Sequence, residues 1–79
     1  MDKNQSTEIT LGHKFQLLRE AANQSEAQMA IALNMPLTEY IRYESDIVDA
    51  DDSIISRVAQ LHNISVPELM AISLENTGA

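Results

Sequence analysis

The architecture turns on Ser25-Glu26-Ala27-Gln28-Met29-Ala30-Ile31-Ala32-Leu33, the joint Asn34-Met35-Pro36, and Leu37-Thr38-Glu39-Tyr40-Ile41-Arg42-Tyr43-Glu44-Ser45. Ser25 and Gln28 have the form of a capping box, in which a Ser oxygen and a Gln side chain satisfy backbone donors that the first helical turn leaves unpaired. Met29, Ala30 and Leu33 then recur at spacings of three and four, which puts them on one face of a helix over Glu26–Leu33. Asn34 stops it, because Asn tolerates the left-handed backbone that a helix end requires. Only three residues separate this helix from the next, expected from Leu37 to about Ser45. A joint that short forces two helices into a tight crossing, the geometry of a helix-turn-helix.

Outward from this pair the same period continues. Leu11, Phe15, Leu18 and Ala22 predict a first helix from about Thr7 to Ala22, stopped by Asn23. Ile55, Val58, Ala59 and His62 predict a fourth from Asp51 to His62, stopped by Asn63. A second capping box, Ser65 with Glu68, starts a fifth helix from Val66 to about Leu74, whose inner stripe is Val66, Leu69, Met70 and Ser73. Gly and Pro number two each, and β-branched residues nowhere alternate with polar ones, so no strand is expected. The reading is an all-α, five-helix domain over 7–74 with flexible ends at 1–6 and 75–79. Leu18, Met29, Leu33, Tyr40, Ile55, Val58 and Leu69 are expected to share one core.

Composition narrows the function classes. Seventy-nine residues allow one domain, given that typical domains run to roughly 100–150. A 44% hydrophobic content with 22% charged residues suits a folded core rather than a disordered segment. With no Cys, disulfides, cysteinyl zinc sites and thiol nucleophiles are excluded. No run approaches the roughly 20 apolar residues of a membrane span, and Met1 to Thr10 lacks the pattern of a signal peptide, so a cytoplasmic location and no membrane partner are expected. Five Lys and Arg against twelve Asp and Glu give a net charge of −7, which opposes broad contact with a polyanion.

From Leu11 to Met70 the chain resembles the Cro/repressor (XRE) helix-turn-helix family. Leu11-Gly12 with Phe15, Leu18 and Arg19-Glu20 resembles its first helix, and Met29-Ala30 with Leu33 its second. Tyr40, Arg42 and Glu44 resemble the end of its third; Ala59, Ile64-Ser65-Val66 and Glu68-Leu69 resemble the entry to its fifth. The resemblance implies a transcriptional regulator that binds double-stranded DNA as a homodimer, with the third helix in the major groove. It implies base or backbone contacts from Gln28, Leu37, Thr38, Glu39, Ile41 and Arg42, with Lys14 and Arg19 as helpers, although Arg19 has a strong rival role as the structural ion-pair partner of a nearby acid. Arg42 can grip guanine and Thr38 can meet a thymine methyl, whereas Leu37 offers apolar contact alone.

Several positions depart from that pattern. Glu26 stands where the family commonly places a Gln that bonds phosphate, so a carboxylate is expected to face an anion. Pro36 replaces the usual Ser or Thr cap. From Leu37 to Asp52 the chain sets Arg42 against six acids, and five of these, Glu44, Asp46, Asp49, Asp51 and Asp52, fall within nine residues where the family has a contact loop. The plainer account of that cluster is a solvated loop with acids favouring the start of the fourth helix. A calcium loop counted from Asp49 fails, with Ile54 where Gly is required and Gln60 where Glu is required.

Other features point to proteins rather than DNA. Ile31, Met35, Leu37 and Ile41, with Ala32, are read as outward-facing apolar residues on one helix pair, which mark either ordinary scatter or a partner-binding patch. Ile72 and Leu74 have no obvious place inside so small a core and are the expected seat of a homodimer. His62 is read as a core histidine bonded to backbone and His13 as solvated. Two functions therefore compete: the DNA-binding regulator, and an acidic protein-interaction module on the same scaffold acting through a partner regulator. No phosphate loop, metal spacing or paired nucleophile supports an enzyme, and no cofactor or metal is expected.

Overall fold

The structure, a computed structural model, describes residues 9–73. Thr7, Leu74 and the stretches 1–6 and 75–79 expected to be flexible lie outside the described residues. Five helices follow in order: α1 (Leu11–Ala21), α2 (Glu26–Leu33), α3 (Leu37–Glu44), α4 (Asp52–Leu61) and α5 (Val66–Met70). Among the described residues there is no strand.

The helix starts are written in side-chain oxygens. Ser25 and Ser65 close complete capping boxes with Gln28 and Glu68, and Asp51 Oδ1 accepts from Ile54 N at 3.0 Å. Pro36 caps α3 without any side-chain hydrogen bond. The first helix begins later than its apolar period suggests. Thr10 holds an extended backbone and its hydroxyl accepts from His13 N, so the residue that caps α1 also interrupts the pattern upstream of it.

The stops follow expectation at three asparagines, Asn23, Asn34 and Asn63, all with φ between 57° and 59°. The last helix ends early, at Met70 rather than near Leu74. Lys14 Nζ donates to Met70 O at 2.7 Å, and this cation from α1 satisfies one of the carbonyls that a terminating helix leaves without partners. Met70 is consequently exposed instead of lying on an inner stripe, and Ala22, at the cap of α1, is exposed too.

One core joins all five helices: Phe15, Met29, Ala30, Leu33, Tyr40, Ile54, Ile55, Val58, Ala59 and Leu69. Leu18 lies at its edge, partly buried against it, and so does Met35, which the sequence placed outward in the turn. The α2–α3 crossing is the most extensive helix contact, and the three residues Asn34 to Pro36 connect it. Opposite, α1 closes on the end of α3 through Gly12. A Cβ at Gly12 would lie 2.6 Å from the Tyr43 carbonyl oxygen and closer still to that of Glu44, so only glycine permits the approach. Asp46, the fourth residue in the left-handed region (φ 62°), locks the same joint with Oδ1 accepting from Gly12 N at 3.0 Å.

Candidate nucleic-acid interface

At about 100° per residue, Tyr40 and Glu44 fall on one side of α3 and Thr38, Glu39 and Arg42 on the other. The structure buries the first pair and exposes the three others. Leu37, at the start of the helix, is exposed as well. Ile41 is half-buried at the boundary and is not among the residues packed against the core.

Beneath this surface lies the charge centre of the domain. Arg19 from α1 grips Glu44 with both branches of its guanidinium, Nε to Oε2 at 2.8 Å and Nη2 to Oε1 at 3.1 Å, and its Nη1 donates to Gln24 O at 2.9 Å. Tyr40 donates its hydroxyl to Glu44 Oε2 at 2.6 Å. The Glu44 side chain is only 6% exposed and that of Arg19 14%. Glu44 therefore does not belong to a solvated contact loop, as the sequence suggested; it is an internal acid, and Arg19 is its structural partner rather than a phosphate contact. Burial alone would push the Glu44 carboxyl up, but the hydrogen bonds from Arg19 and Tyr40 outweigh it and hold the group below the usual carboxylate range. Tyr40 is driven the other way, by burial first and then by the bond it makes to Glu44.

Glu26 also departs from expectation. Its carboxyl is half-buried and senses Glu44 instead of facing outward to meet an anion. Hydrogen bonding with the Glu44 carboxyl, then burial, raises its proton affinity, and Arg19 only partly offsets this. Gln28 is engaged locally, its Oε1 accepting from Ser25 N at 2.7 Å.

The loop after α3 folds back on its own helix, with Ile47 N and Val48 N both donating to Arg42 O. Asp46 and Asp51 are occupied as acceptors for Gly12 N and Ile54 N, which leaves Asp49 and Asp52 exposed beside them. Between these acids stand Ile47, 71% exposed, and Val48, 42% exposed. Sequence reading passed over both. Their signal was two β-branched apolar residues inside an acidic turn that no helical period accounts for.

Of the four cations among the described residues, three are engaged internally: Lys14 on Met70 O, Arg19 on Glu44, and Arg57 on Leu33 O at the end of α2. Arg42 alone makes no side-chain bond, and it stands on the outer face of α3.

The remaining expected sites are scattered. Ile31 is 78% exposed on α2, whereas Met35 is turned toward the core. Ile72 is half-buried beyond the end of α5 and lines a groove of about 520 Å3 between α1 and α5, with Leu18 and Ile64 and the exposed acids Glu20 and Glu68. Leu74 lies outside the described residues. His62 sits half-buried at the end of α4 with Nδ1 2.9 Å from Val58 O, and its Nε2 is buried without a partner. Among the described residues no group of three His, Cys, Asp or Glu could hold a metal ion, and no helix is long and apolar enough to cross a membrane. Compared with known proteins, the chain matches no protein-family model and no curated protein.

Proposed function

We propose that the chain is a small helix-turn-helix transcriptional regulator of the Cro/repressor type that acts in the cytoplasm and binds double-stranded DNA as a homodimer. Helix α3 enters the major groove, with Arg42 and Thr38 reading base edges, Leu37 and Ile41 giving apolar contact, Glu39 accepting from a cytosine amino group, and Gln28 approaching the backbone. The observation that carries this reading is Arg42, the one described cation with no internal partner, exposed on α3 beside Thr38. Selection of duplexes from a random pool should yield a specific site, and Arg42→Ala should weaken binding to it by about 1–3 kcal/mol while Thr38→Ala changes the preferred base. Binding indifferent to Arg42→Ala would remove α3 as the reader.

A second reading, an acidic protein-interaction module, is favoured by Ile47 and Val48 exposed among Asp46, Asp49 and Asp52, on the loop that follows the helix carrying Leu37 and Ile41. The double substitution Leu37→Gln with Ile41→Gln separates the two. A DNA reader loses only methyl contacts and gains amides able to hydrogen-bond, whereas a protein complex loses apolar anchors worth several kcal/mol, on the order of 2–4. Affinity for the selected duplex and capture of partner proteins by the tagged double variant, each compared with wild type, decide between them.

A further inference from the structure

From Ala27 to Thr38 the chain carries no charged residue, twelve positions in a protein of net charge −7. Eight of these are exposed, and on α2 the outward ones are Ala27, Gln28, Ile31 and Ala32. Two hollows flank this helix. On one side Ile31 meets Asn34 and Pro36 in a depression of about 370 Å3; on the other Ala32 meets Gln60, the exposed Leu61 and Arg57 of α4 in one of about 250 Å3. Neither is lined by a carboxylate, and the Arg57 guanidinium is already committed to the Leu33 carbonyl.

We propose that this uncharged face of α2, with the adjoining end of α4, is the surface through which two copies of the chain associate. The inference rests on the homodimer of the preceding reading and moves its seat away from the end of α5. Charge decides the location. Each copy carries −7, and two copies meeting through the α3 loop would oppose Asp49 and Asp52, while meeting through the α1–α5 groove would gather Glu20 and Glu68 from both. Like charges brought within a Debye length repel, and of the three surfaces only the α2 face is lined by no carboxylate, its one charge being the Arg57 guanidinium already held by the Leu33 carbonyl. The side chains also suit a two-fold axis. Ile31, Ala32 and Leu61 give each copy apolar surface, and the amides of Asn34 and Gln60 each carry donor and acceptor, so a residue can pair with its own mate across the axis.

The test is light scattering and sedimentation on the full chain without DNA, from micromolar to millimolar concentration. Wild type should move from 8.8 kDa to twice that mass. Raising salt from about 50 to about 500 mM should tighten the dimer, since what it screens is the net repulsion between acidic copies. Ile31→Glu should weaken dimerisation at least tenfold and leave the melting temperature unchanged at micromolar concentration, where the monomer predominates, because the side chain is 78% exposed, and Ile72→Glu should leave dimerisation unaltered. A dimer that survives Ile31→Glu but is lost with Ile72→Glu overturns the α2 face alone. Wild type that stays at 8.8 kDa throughout overturns the face and the homodimer together, whereas the DNA reading stands or falls on Arg42 and duplex affinity.

Discussion

Glu44 and Glu26 share one arginine, and that arrangement sets how the domain responds to acid. Glu44 is held below its ordinary value in the folded state, so it contributes stability above the unfolded carboxylate range, near pH 4, that is lost as pH falls through the folded value. Glu26 is raised, so its contribution has the opposite sign: ionised at neutral pH beside another carboxylate, it costs stability, and that cost disappears once it is protonated. Glu26→Gln should therefore raise the melting temperature at pH 7 and lose its advantage below about pH 4, where both forms are neutral. Glu44→Gln should lower stability by about 3 kcal/mol at pH 7, because it leaves the Arg19 guanidinium buried without its counter-charge. Melting curves of both variants between pH 3 and pH 7 check the two signs. The sequence showed Arg19 as a candidate for an ion pair but hid its partner. Glu44 is followed within eight residues by four aspartates, and only the turn of α3 carries it to the buried side while they fall in the loop and at the start of α4.

The helices were legible where their ends are encoded in local chemistry. Ser25 with Gln28 and Ser65 with Glu68 each satisfy backbone donors reciprocally, so both starts could be read to the residue. The three asparagine stops were equally direct. Thr10 and Met70 were not, because the first looks like part of a continuing period and the second ends its helix against a lysine 56 positions away in sequence. Ser25→Ala tests the capping account. It removes the oxygen that accepts from Gln28 N and should cost about 1 kcal/mol in chemical denaturation. The loss matters beyond α2, since α2 supplies Met29, Ala30 and Leu33 to the core and fixes the angle at which α3 leaves Pro36.

At the scale of the whole molecule the deciding quantity is how many cations remain to meet a phosphate. A net charge of −7 was plain from composition, but composition cannot say which positive side chains are already committed. Lys14, Arg19 and Arg57 are bonded to Met70, Glu44 and Leu33, which leaves Arg42 on the described surface, and Lys3 lies outside the described residues. Counting Lys3 with Arg42 sets an upper bound of two cations per chain and four in a homodimer. Each neutralised phosphate releases counterions and contributes close to one unit to the slope of log K against log salt, so binding to random duplex should follow a slope no steeper than about −4. Fluorescence anisotropy with a random duplex across a salt series measures it, and the affinity should be weak enough to vanish well before physiological ionic strength. Arg42→Ala should flatten the slope by nearly two units in the dimer, one for each copy. A slope much steeper than −4 would mean that Lys14 or Arg57 leaves its carbonyl for a phosphate. In that case Lys14→Ala should reduce both the slope and the stability of α5, because the same ammonium holds its last turn.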